Sequence, residues 1–168
     1  KKRNLRILAI DKQPETPAYD LRPITGGILV QTADAIAEDP TSWTVATQRQ
    51  PTKNEMKDLA FAWKAAKHIK SNAIVFAKDL ALVGMGAGQP NRVVSVHLSQ
   101  RASGDNAKGS VLASDAFFPF ADNIELAAEA GITAIVQPGG SIRDDEVIAA
   151  ADKAGLAMVF TSVRHFRH

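Results

Sequence analysis

The sequence predicts an α/β fold, with a mixed β-sheet covered by helices in three layers (α/β/α). Three observations predict it. The last third alternates short apolar runs with segments of helical period, the pattern of βαβ units. Apolar positions Met56, Leu59, Ala60, Trp63, Ala66 and Ile69 recur at helical spacing within a lysine-rich stretch. With 168 residues, 45% hydrophobic and 23% charged, the chain can bury a real core, and residues 1–168 read as a single domain.

The elements follow in order. Leu5 to Ile10 and Gly27 to Gln31 read as short strands, joined by a loop in which Pro14, Pro17 and Pro23 forbid regular structure. Pro51 to Lys70 is the amphipathic helix. Asn72 to Ala77 and Leu80 to Met85 are strands separated by "KD", which makes a hairpin. "GMGAGQPNR" breaks the pattern, Val93 to Arg101 is helical, and "RASGDNAKGS" is a polar connector. Then come strand Val111 to Ala113, helix Asn123 to Ala130, strand Ile132 to Gln137, helix Asp144 to Ala154 and strand Leu156 to Phe160. In such sheets ligands gather at the carboxyl ends of strands, where "SDAFFPF", "QPGGS" and "TSVRHFRH" fall.

Composition excludes several functions. Twenty Lys and Arg against eighteen Asp and Glu leave a net charge of +2, too small to argue for nucleic acid, so anionic small molecules are the expected partners. The absence of cysteine removes disulfides, thiolate nucleophiles and every Cys-containing zinc site. The opening "KKRNLRILAI" imitates a signal peptide, but Arg6 interrupts its apolar run and "DKQPE" follows, so a cytoplasmic protein without a membrane span is expected. A strand-like run almost at the first residue reads as a fragment of something longer.

Each candidate motif has a functional and a plain reading. The glycines at 84, 86 and 88 miss the dinucleotide spacing by one residue, leaving a close approach to a ligand or a tight turn. Ser141 in "GGS" fits an N-cap with Asp144 three residues on, or an anion site at a helix start. Asp122 fits a capping box with Glu125, yet a cap does not require three phenylalanines nearby. Flat rings beside a carboxylate suit a heterocycle with N–H donors. Lys67 and His68 fit a helix end, "RHFRH" a solvated terminus, and Arg164 a phosphate ligand reaching the crevice from the last strand.

Taken together, "KSNAIVFAKD", "GMGAGQPNR", "SDAFFPFADN", "QPGGS" and "VRHFRH" resemble the C-terminal part of AICAR formyltransferase, over residues 54 to 168. That family is the transformylase half of a bifunctional purine biosynthesis protein whose other half is IMP cyclohydrolase. The resemblance implies formyl transfer from 10-formyltetrahydrofolate to AICAR, and a cytidine-deaminase-like topology without zinc. It implies AICAR contacts at Asn72, Arg92, Phe117 and Arg164, and folate contacts at Val93, Asp122, Ser141 and Ile142. It also implies a monovalent cation, potassium, with Asp115 and Ser71 as its ligands, and a homodimer that shares sites across its interface. The family's catalytic Lys-His pair belongs to a segment upstream of these blocks, and Lys67-His68 is not that pair. No catalytic residue is therefore assigned, and the chain is expected to bind without turnover unless an upstream half completes it. Two rivals are a stand-alone module that senses purine intermediates and a zinc deaminase, which the missing cysteines oppose.

Overall fold

The structure, a computed structural model, describes residue 6, residues 8–12, 15, 17–37 and 39–167. The single domain expected over 1–168 divides by its internal contacts into two compact units, Lys1–Ala37 and Glu38–His168.

The first unit holds a two-stranded antiparallel ribbon, β1 (Tyr19–Ile24) and β2 (Gly27–Thr32). Pro23 lies inside β1 and pairs in register with Ile28, which corrects the expectation of a structureless loop. Both strands of a two-stranded ribbon have an outer edge, and an edge tolerates a residue without an N–H. Gly26 turns the ribbon at φ +80°, a value that suits glycine. Residues 5 and 7 of the strand expected at Leu5–Ile10 lie outside the described residues, and residues 6 and 8–10 are in no strand.

The second unit begins with a 3-10 turn at Pro40–Ser42, capped by Asp39 Oδ1 accepting from Thr41 N at 2.9 Å. The two-residue strand β3 (Thr44–Val45) follows, too short to give a sequence signal. Helix α1 (Lys53–Ala66) starts in a capping box: Thr52 Oγ1 accepts from Glu55 N, and Glu55 Oε2 accepts from Thr52 N. It ends with Lys67 as its C-cap, so Lys67-His68 closes a helix as expected. Strands β4 (Ile74–Lys78) and β5 (Ala81–Gly86) form the predicted hairpin. Asp79 and Leu80 turn it at φ 52° and 58°, and the Asp58 carboxylate of α1 accepts both their N–H groups at 3.0 and 2.8 Å.

Helix α2 (Arg92–Ser103), a 3-10 turn at Gly104–Ala107, β6 (Val111–Ser114), α3 (Asp122–Glu129), β7 (Ala134–Gln137), α4 (Asp144–Lys153) and β8 (Ala157–Phe160) complete the unit. The predicted polar connector is thus taken up by the end of α2 and the 3-10 turn. The strands form one mixed sheet in the order β3-β8-β7-β6-β4-β5. β6, β7 and β8 are parallel, while β4 and β3 join them antiparallel.

The strand period of two divides the core. Val75, Ala77, Val111, Ala113, Ala134, Val136, Ala157 and Val159 pack on Leu59, Ala62, Trp63 and Ala66 of α1. Ile74, Phe76, Leu112, Ile135 and Met158 point the other way, onto Val96, Ile124, Ala127, Val147 and Ala151 of α2, α3 and α4. The three-layer α/β/α architecture with a mixed sheet is therefore present. No helix among the described residues is long and apolar enough to cross a membrane.

In "GMGAGQ" Gly88 lies in a bend at φ +66°, in line with the turn reading, while Gly84 and Gly86 serve a contact that neither reading expected. A Cβ on Gly84 would lie 2.2 Å from Ser99 O, and one on Gly86 2.1 Å from Ser95 O. The glycines let β5 meet the backbone of α2, where Ser95 and Ser99 turn their hydroxyls to backbone carbonyls of residues 72, 74 and 95. The motif is a helix–strand contact that fixes the start of α2.

Candidate functional site

Four segments meet at one end of the central strands: the residues before β4, the start of α2, and the loops after β6 and β7. The antiparallel pairing of Ile74 with Ser114 brings the beginning of β4 beside the end of β6. Asn91 caps α2, its Oδ1 accepting from Val93 N at 3.0 Å, which puts Arg92 in the first turn.

Arg92 is the hub. Its Nη2 donates to Asp115 Oδ1 at 2.6 Å, its Nη1 to Asn72 Oδ1 at 2.8 Å and its Nε to Ser114 Oγ at 2.9 Å. Asp115 is fully buried, and the Arg92 side chain is 8% exposed. Burial lowers the pKa of the guanidinium, while the charge and hydrogen bond of Asp115 oppose that change; a guanidinium stays charged. Asn72 is itself held, donating from Nδ2 to Gln89 O at 2.8 Å. Three of the expected residues, Asn72, Arg92 and Asp115, are thereby joined directly.

Asp115 Oδ2 is buried without a hydrogen-bond partner. The other proposed cation ligand, Ser71, is half-buried, with its N–H donating to Arg167 O at 2.8 Å. Asp115 O accepts from His165 N at 3.1 Å, so the last residues of the chain connect the two. Among the described residues no group of three or more His, Asp or Glu could hold a metal.

The basic tail is not merely a solvated terminus. His165 is 2% exposed and its ring lies 4.9 Å from that of Trp63. Arg164, in contrast, is exposed, with its guanidinium 5.6 Å from the Phe166 ring. Among the described residues no hydrogen bond or ion pair joins Arg164 to Asn72 or Arg92.

The loop after β6 splits its aromatics. Phe118 is fully buried, Phe117 is half-buried and Phe120 is 50% exposed. Phe120 carries the Arg143 guanidinium at 5.0 Å, which ties this loop to the one after β7. Both caps proposed there need correction. Ala121 is the N-cap of α3, and Asp122 Oδ1 accepts from N and Nδ2 of its neighbour Asn123. Arg143 is the N-cap of α4, while Ser141 Oγ accepts from Arg143 N and Asp144 Oδ2 from Gly140 N. Glycines with φ +71° and +89° at 139 and 140 bend the chain before the helix, so the side chains close a turn ahead of it. Asp122 and Ile142 are exposed, and Val93 and Ser141 are half-buried.

Two polar side chains at this end of the strands escaped sequence reasoning. Ser114 Oγ, besides accepting from Arg92, donates to Ala116 O at 2.6 Å, and buried Gln137 accepts from Phe118 N at 3.0 Å. Their only signal was a polar residue closing each of the apolar strands "VLAS" and "AIVQ".

The family described as AICARFT/IMPCHase bienzyme matches residues 1–102. The chain is 52% identical to the bifunctional purine biosynthesis protein PurH of Synechocystis and 54% identical to that of Nostoc punctiforme, over all 168 of its residues. PurH of Listeria innocua is 52% identical over the same length. In each case the chain spans 33% of the relative, so it covers about a third of the proteins it matches. Among solved structures, RibD of Acinetobacter baumannii is similar over 64% of this chain and 34% of that one, with 18% identity and a TM-score of 0.43.

Proposed function

Because the chain belongs to the AICARFT/IMPCHase bienzyme family, we propose that it is part of an enzyme of purine biosynthesis and supplies the substrate wall for formyl transfer to AICAR. The observation that carries the reading is the Asn72–Arg92–Asp115 network beside the half-buried Phe117. A buried, neutralised guanidinium and a pinned amide offer fixed donors to a polar heterocycle, and Phe117 offers a face for its ring. Arg164 supplies a cation for the phosphate. Val93, Asp122, Ser141 and Ile142 form the wall for 10-formyltetrahydrofolate, alongside exposed Phe120.

The AICAR amine is a weak nucleophile, since its lone pair delocalises into the imidazole and carboxamide. Formyl transfer therefore needs both positioning and removal of a proton. The residues above hold and orient; the Lys-His pair of the upstream half supplies the proton transfer. A monovalent cation would sit at Asp115 Oδ2 near Ser71. One carboxylate already paired with Arg92 offers too little charge for a divalent ion, which agrees with potassium as the ion.

Association into a homodimer completes the shared sites. The decisive measurement is calorimetric titration of the chain with AICAR and with 10-formyltetrahydrofolate, alone and together, followed by a formyl-transfer assay. Weak binding of both without turnover is expected. Turnover near that of a complete enzyme, or tight binding of one ligand alone, would overturn it, the second result favouring a sensor.

A further inference from the structure

The backbone on either side of Phe117 is held by a side chain. On its N-terminal side the Ser114 hydroxyl meets Ala116 O at 2.6 Å. A guanidinium has no acceptor, so Ser114 must accept from Arg92 Nε, and its single proton goes to Ala116 O. On its C-terminal side Phe118 N donates to Gln137 Oε1 at 3.0 Å. Gln137 is fully buried at the end of β7, and its Nε2 lies 3.2 Å from Met158 Sδ.

A thioether is a weak acceptor, whereas the Phe118 N–H is a full donor in a buried place. The amide is therefore oriented by the loop it holds. A leucine at 137 would fill nearly the same volume and fit the apolar layer of Met158 and Ile135 better. The retained amide has one full-strength partner, the backbone between Phe117 and Pro119.

We propose that Gln137 is a positioning residue for AICAR binding, holding Phe117 through the backbone N–H of Phe118. It rests on the reading of Phe117 as an AICAR contact. Without the bond, the Phe118 amide seeks another acceptor, the loop relaxes, and Phe117 leaves the plane against which the heterocycle stacks. Gln137 touches neither Arg92 nor Asp115 in any hydrogen bond of the site, so its effect is separable from theirs.

The test uses the complete bienzyme carrying Q137L, F117A and both together, with KM for AICAR, KM for 10-formyltetrahydrofolate, kcat and thermal stability as readouts. Q137L is expected to raise KM for AICAR roughly tenfold, within the penalty that small misplacements of a binding group impose. The same substitution in the F117A background is expected to leave KM for AICAR unchanged, because the group it positions is gone. A loss of thermal stability with KM unmoved overturns the proposal, as does an equal rise in KM in both backgrounds. If F117A itself leaves KM for AICAR unchanged, the reading of Phe117 falls and the proposal with it; if F117A raises KM and Q137L does not, only the proposal falls. Should Q137L not fold, Q137M, unbranched and without an acceptor oxygen, takes its place. If neither folds, Gln137 is a folding residue and the proposal is overturned.

Discussion

Replacing Asp115 with asparagine removes one charge from a pair whose members are 0% and 8% exposed. The amide oxygen can still accept from Arg92 Nη2, so packing and one hydrogen bond survive; the counter-charge does not. Breaking a buried pair from one side costs about 3–5 kcal/mol, since the remaining ion stays desolvated without compensation. In a domain of this size that is roughly 10–20 °C in melting temperature. Urea unfolding followed by the fluorescence of Trp43 and Trp63 measures it directly. The double variant R92M/D115L removes both charges and is expected to recover part of the loss, because an apolar pair of similar volume carries no charge to desolvate, while Asn72 Oδ1 and Ser114 Oγ lose the donor that Arg92 gave them. It should nonetheless lose AICAR binding. A D115N variant within about 1 kcal/mol of the parent would refute the cost assigned to one-sided breaking of this pair, and a double variant as unstable as the single would refute the view that the pair serves binding rather than stability.

Two further outcomes are expected. Burial alone would raise the Glu55 carboxyl, but the Arg49 guanidinium and the N-terminal bonds of α1 outweigh it and hold the pKa down to about 2. Since the folded value lies below the unfolded one, Glu55 stabilises the chain above about pH 4.5 and loses that contribution as pH falls toward 2; melting curves of E55Q should show a shallower acid limb than the parent. Gly86→Ala would drive a Cβ to 2.1 Å from Ser95 O, costing about 1–3 kcal/mol by overpacking, and it should also weaken AICAR binding by displacing Arg92 at the start of α2. Undiminished stability in circular-dichroism melts would show that β5 and α2 can part freely.

The βαβ portion was legible because periodicity survives burial. "VLAS", "AIVQ" and "AMVF" each close within a residue or two of the predicted strands, as the small Val and Ala side chains that face α1 alternate with larger ones facing α3 and α4. β1 was hidden by Pro23, since a proline argues against a central strand and says little about an edge. β3 was hidden by length. The caps of α3 and α4 failed for a shared reason: Asp122 and Ser141 satisfy backbone groups next to themselves, and local bonding of this kind competes with helix capping at the same residue types.

The site was legible by type and illegible by linkage. Asn72, Arg92 and Asp115 lie in three separate motifs, and only the antiparallel placement of β4 against β6 makes them one network. Linkage also assigns the aromatics of "SDAFFPFADN" different tasks. Phe118 is the anchor, buried and bonded through its backbone to Gln137; Phe120 meets Arg143 at the surface; Phe117, just before the anchor, is half-buried and is the ring proposed to meet AICAR. A loop with one buried ring can present another without collapsing over it. Pro119 reinforces this by withholding an N–H next to the one that Gln137 takes, so the amide at 118 has no competing donor beside it. On the proposed reading, the aromatic crowding follows from needing an anchor and a ligand-facing ring within a few residues.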